Sequence, residues 1–244
     1  MRIKIFILLC LTAIMQFTGV TPLKASHYYY KQLSLKDGLT SAVRCILTDK
    51  QGFVWIGTKA GISRYDGHEL KKYVHSQNNP HSIPNNLIHQ IAEDEMSNIW
   101  ILTDKGIARY QRQSDDFFLP TDEKGNPIIA YSTCLTKDGV LFGSKDKVYF
   151  YSYRDSSLRL LQKLNKGSNF NISLLSLWNE HTVLCCSRWQ GLALLDLKTG
   201  KHRLPPFDCG KEIMNMLIDS QNRIWIAPYN EGIKCFTHNG ELVK

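Results

Sequence analysis

The chain has 244 residues, 43% of them hydrophobic, which is enough to bury a substantial core. Its formal charge of +8 is spread along the chain, with no Lys/Arg run to grip nucleic acid, so nucleic acid is excluded as a partner. None of the seven cysteines forms a Cys-x-x-Cys pair and the eight histidines are scattered, so no metal and no cofactor are expected.

Residues 1–25 read as a secretory signal. Arg2 and Lys4 form the charged region, Ile5 to Phe17 the apolar core, and Leu23, Lys24 and Ala25 a cleavage site. An uncleaved anchor is the alternative, but the apolar run is short for a membrane span. The mature chain then begins near Ser26 and is exported.

His27 to Leu33, with three successive tyrosines, reads as a strand, and Val43 to Thr48 as the innermost strand of a sheet. The stretch from Gly52 to Gly67 is the unit from which the chain is built. Asp49 to Gly52 make a turn, Val54 to Thr58 a strand apolar on both faces, and a turn ending at Gly61 leads into Ile62 to Tyr65. Glu69 to Val74 then supply an outermost strand. A strand apolar on both sides needs cover above and below, so one hairpin is not stable alone.

The unit recurs. Asp94 to Tyr110 place Trp100 against Trp55 and Gly106 against Gly61, and Asp219 to Phe236 put Trp225 in the tryptophan position. Two degenerate copies between them carry Leu141 and Leu184 there, so five copies follow one another at intervals of 41 to 45 residues. Leu87 to Ala92 and Ile213 to Ile218 match Val43 to Thr48 as innermost strands. Residues 76–86, 122–127 and 165–169 read as turn-rich connections. Five such copies, each of about four short strands, describe an all-β chain whose residues 26–244 form the blades of a β-propeller. The tryptophans are read as packing between blades. Gly57 and Gly143 are read as places where a side chain would crowd the adjoining sheet. Cys45, Cys134 and Cys235 read as small buried hydrophobes, and alternation points Cys185 and Cys186 to opposite faces, against a bond between them. Asn239 to Val243 repeat the beginning of an outermost strand. That pattern predicts the front part of a longer chain, interrupted within a seven-bladed ring, with a closed five-bladed ring as the lesser reading.

Leu33 to Leu39, Asp49 to Thr58 and Gly61 to Gly67 resemble the two-component regulator propeller repeats of hybrid two-component sensor histidine kinases of Bacteroides-type bacteria. The likeness is specific in the first, second and fifth copies and loose in the third and fourth. It implies a periplasmic sensor region, normally two seven-bladed propellers. In the family these precede a further β-domain, one membrane helix, a histidine kinase and a receiver. Members commonly sense oligosaccharides released from glycans. The phospho-acceptor motif, ATP lid and receiver aspartate of that plan are missing from this sequence, so these residues are read as input and not as an enzyme. Membrane attachment would come only through the missing downstream region, and the resemblance leaves open a homodimer of the full-length protein.

Loops joining second and third strands gather on one face of a propeller, and here they offer Lys59, Lys105, Lys147, Arg188, Trp189 and Tyr229. These six are the candidate ligand-binding residues. Cations would pair with anionic groups and the aromatic rings would lie against a sugar, so the expected partner is an acidic or polar oligosaccharide. Exposed lysines in turns are also ordinary soluble decoration, whereas a tryptophan in a turn lacks a packing reason. The readings set beside sensing are a propeller interaction platform, a non-functional truncated remnant and a propeller lyase. The last would need converging acids, bases or metal ligands.

Overall fold

The computed structural model describes residues 32–34, 39, 41–164 and 170–243. The chain divides into two units, Met1–Leu33 and Ser34–Lys244. Residues 1–31, which hold the signal and most of the expected His27–Leu33 strand, lie outside the described residues, as do 165–169; Gln32 and Leu33 are in no strand.

Ser34–Lys244 is a series of antiparallel sheets. The first blade comprises β1 (Val43–Thr48), β2 (Val54–Thr58), β3 (Gly61–Tyr65) and β4 (Leu70–Tyr73). The second holds β5 (Ile88–Glu93), β6 (Ile99–Thr103), β7 (Gly106–Gln111) and β8 (Asp116–Phe118). The third holds β9 (Ser132–Thr136), β10 (Gly139–Ser144), β11 (Lys147–Ser152) and β12 (Leu158–Lys163). The fourth holds β13 (Ile172–Asn179), β14 (Thr182–Ser187), β15 (Gly191–Asp196) and β16 (His202–Arg203). The fifth, β17 (Ile213–Ile218), β18 (Ile224–Pro228) and β19 (Lys234–Phe236), has three strands rather than four. Its expected outermost strand is reduced to a bridge between Phe236 and Leu242, with Val243 N–H bonded to Cys235 O at 2.7 Å.

In every blade the strands pair in chain order, and the innermost strands β1, β5, β9, β13 and β17 touch one another in succession. Four hydrophobic clusters fill the gaps between consecutive blades, so the core is divided among the interfaces. Trp55 lies in the first gap with Ile91 and Ile101 of the second blade, and Trp100 in the second gap with Phe142 and Tyr151 of the third. Leu141 and Leu184 hold the equivalent places at the next two gaps, both essentially buried. Trp225 departs from this pattern. It occupies the same register but is only half-buried, because it lies on the face that Trp55 and Trp100 turn toward the following blade.

The glycine reading is borne out by the steric contacts. A Cβ on Gly57 would stand 2.8 Å from Ile88 Cγ2 of the next blade, and one on Gly143 would stand 2.6 Å from Ile172 Cγ2 of the blade after. Cys134 and Cys235 are buried as expected, while Cys45 is half-buried. Cys185 and Cys186 are both buried, the first in the gap between blades three and four, the second in the gap between four and five.

Candidate functional site

In blades one, three and four the hairpin loop between second and third strands is stitched to the segment that enters the next blade. Gly61 N–H bonds Asn86 O at 2.8 Å, Ile172 N–H bonds Lys145 O at 2.8 Å, and Ile213 N–H bonds Arg188 O at 2.9 Å. These bonds place the hairpin loops and the inter-blade connections at one end of the molecule, where the sequence located its candidates. They also satisfy backbone groups that an irregular connection would otherwise leave to water.

The six candidates differ in surroundings. Lys59 and Lys105 are exposed in their turns. Lys147 is half-buried and opens β11, paired in register with Lys163 rather than standing in the loop. Trp189 is 62% exposed and Tyr229 48%, too much for side chains kept for packing. The Arg188 guanidinium lies 5.9 Å from the Trp189 ring centroid, a cation–π contact that holds both groups toward solvent.

The fold brings Arg188, Trp189 and Tyr229 to one locality. Arg188 O accepts from Ile213 N–H and Tyr229 N–H donates to Glu212 O at 2.8 Å, so the loops of blades four and five flank the same two residues. Lys59, Lys105 and Lys147 belong to blades one, two and three and do not join that group. Beside Trp189 runs a groove of about 620 Å³ lined by Gln190, Gly191, Leu192 and residues 204–211. Its wall includes Leu204, which is 68% exposed, and the proline pair Pro205 and Pro206, none of which the sequence had singled out. The signal was there in principle: an apolar residue followed by two prolines cannot continue a strand and must form a wall or a turn. The groove itself has apolar walls with one carboxylate, Asp208, and one cation, Lys211, while the exposed indole of Trp189 and the guanidinium of Arg188 stand next to it in the chain rather than in its lining. Among the described residues no group of three or more His, Cys, Asp or Glu is placed to hold a metal ion.

A radial series of blades, four of four strands and one of three, defines the class: the chain is a β-propeller. More particularly, residues 37–60 match the family model described as Two component regulator propeller, so the chain carries that repeat. Histidine kinase P4 of Formosa agariphila is 41% identical over 56 residues, which are 22% of this chain and 4% of that protein. The extracellular domain of a hybrid two component system of B. thetaiotaomicron superposes with a TM-score of 0.69 at 20% identity, over 86% of this chain and 30% of that one. A second extracellular domain from the same organism, of a one component system, gives 0.68 at 18% identity over 83% and 30%. The chain thus spans about 30% of the length of these solved domains. Streptogramin B lyase shares the fold at a TM-score of 0.60 and 16% identity, so the architecture by itself does not separate a binding protein from an enzyme.

Proposed function

We propose that this chain is the ligand-sensing part of an exported, periplasmic signalling protein of the hybrid two-component kind. On this reading it detects oligosaccharides derived from glycans and so controls the genes for their use. The observation that carries the reading is the regulator repeat over residues 37–60 in a chain that folds as a propeller along most of its length. The signal read in residues 1–25 and the fold shared with extracellular domains support export. The exposed Trp189 ring with Arg188 held against it, next to an apolar-walled groove, supports a ligand with a flat apolar face and a polar or acidic group, with Arg188 as its counter-charge and Tyr229 nearby. Oligosaccharides bearing uronic or sulfated sugars fit that description.

The test is calorimetry of the purified chain against a panel of acidic and neutral glycan fragments. At least one acidic fragment is expected to bind, and Trp189→Ala and Arg188→Ala are each expected to weaken it about tenfold, or ~1.4 kcal/mol. A panel without a binder, or a binder indifferent to both substitutions, would remove the proposal.

A further inference from the structure

In four of the five blades the innermost strand breaks register at one and the same place. Pairing with the second strand skips from Val43 to Cys45, from Ile88 to Gln90, from Ile172 to Leu174 and from Ile213 to Asn215. The residues passed over are Arg44, His89, Ser173 and Met214. In the third blade Tyr131 holds the matching place just ahead of β9, its N–H bonded to Gly143 O at 3.0 Å. A bulge of this kind turns one side chain out of the ladder, and bulges are enriched beside functional sites. Because the five innermost strands touch in succession, these five positions follow one another around the axis.

The backbone repeats here while the side chain does not. The tryptophan position does the reverse, holding one residue type or a leucine substitute, as packing demands. A place occupied by Arg, His, Tyr, Ser and Met in turn is under no common packing rule, so its chemistry is free to vary with a ligand. Two of these residues already touch across blades: the rings of His89 and Tyr131 lie 5.3 Å apart at 64°. His89 Nε2 also meets Asp104 Oδ1 of the second blade's hairpin loop at 2.6 Å. The His89 side chain is only 16% exposed, but its Asp104 partner is 46% exposed and Tyr131 40%. Below them Gln90 Oε1 accepts from Thr133 N–H at 3.0 Å, fixing β5 against β9 and so fixing the distance between the two rings.

We infer that this axial cluster is a second ligand site, in which Asp104 and His89 bind neighbouring hydroxyls of a single sugar residue and the Tyr131 ring lies against its C–H face. His89 Nε2 is engaged with Asp104 Oδ1, which leaves Asp104 Oδ2 to accept from one hydroxyl of a vicinal diol and the second ring nitrogen, Nδ1, to accept from its neighbour. Arg44, exposed at the same place in the adjoining first blade, adds a cation and selects a sugar that carries a carboxylate. The inference takes its ligand class from the sensing function proposed above, but uses none of the residues of the Trp189 groove.

The experiment follows the His89 imidazole by NMR, assigned with His89→Gln, while the whole chain is titrated with D-glucuronate and, separately, with D-glucose. Glucuronate is expected to shift that resonance, with glucose binding several-fold more weakly and Arg44→Ala erasing the preference. Asp104→Asn and Tyr131→Ala, checked for unchanged circular dichroism, are each expected to weaken the response at least tenfold, whereas Trp189→Ala leaves it unchanged. Absence of a shift with both sugars overturns the axial site, as does a response that survives Asp104→Asn and Tyr131→Ala or disappears with Trp189→Ala. Glycan fragments still bound through Trp189 would in that event leave the sensing function standing.

Discussion

Single side chains fasten the blades through a small set of repeated bonds. Trp55, Trp100 and Trp225 each donate their indole N–H to the aspartate six residues earlier, Asp49, Asp94 and Asp219, at 2.8 to 2.9 Å. The tryptophans read as packing therefore also satisfy their polar atom inside the turn that precedes them. Burial alone would raise the Asp49 carboxyl, but hydrogen bonds from Trp55 and from Arg112 of the next blade outweigh it and hold it low. A second fastening runs between blades one and two. Asp115 accepts from Tyr73 at 2.6 Å and from Tyr110, pairs with Lys71, and lies 3.4 Å from Arg64. Desolvation works against the charged form, yet the bonds from Lys71, Tyr110 and Tyr73 prevail and bring the Asp115 carboxyl down to about 2. The folded protein thus holds that proton more weakly than the unfolded chain does. The stabilisation is complete above about pH 4 and is lost as the pH falls through about 2. Asp115→Asn is expected to lower stability at neutral pH by roughly 1 kcal/mol, a figure kept small for its 30% exposure. Urea unfolding followed from pH 7 downward should show the gap to wild type closing between about pH 4 and about pH 2. A gap constant across that window would remove Asp115 from the account.

At the scale of the strand and sheet, close approach is the controlling condition. A Cβ on Gly57 would also meet Cys45 Sγ at 2.5 Å within its own blade, so both sides of the site are closed. Gly57→Ala is expected to cost about 1–3 kcal/mol by overpacking. Gly232→Ala, where a Cβ would meet nothing within 4 Å, should stay within about 0.5 kcal/mol of wild type. Chemical denaturation of the two variants compares them directly, and equal losses would contradict the steric argument. Strands of this kind were legible in the sequence. Val43–Thr48, Val54–Thr58 and Ile213–Ile218 stand where short apolar runs and the repeated turn residues put them, because such runs and glycine turns are local signals. The Asp115 fastening was not legible. Asp115 lies 42 and 44 residues from Tyr73 and Lys71, and nothing local announces that the blades will bring them together. The candidate site divides in the same way. Exposed Trp189 followed from its place in a turn, whereas the groove beside it and the His89–Asp104 contact depend on how inter-blade segments return over the hairpins.

For the whole molecule, the consequence is that stability is distributed among interfaces. No blade has a core of its own; each of the four hydrophobic clusters is made of residues from two consecutive blades. A sheet's middle strand then records how many of its faces are covered. All five residues of β6 are buried, as are five of the six in β10 and in β14, so both faces of blades two, three and four are sealed. In β18 buried residues alternate with half-buried ones, the pattern of a strand covered on one side. Arg223 takes part of the missing role by stacking its guanidinium 5.4 Å from the Trp225 centroid and pairing with Asp219 at 2.8 Å, a partner from the same turn instead of the next blade. Local opening should therefore be easiest in the fifth blade, since opening free energy follows buried contacts. Native-state hydrogen exchange of the chain is expected to show β18 amides exchanging about tenfold or more faster than those of β6, β10 and β14. Uniform protection across all four strands would mean that the sheets open as one body, and that the division of the core between blades does not govern how this propeller yields.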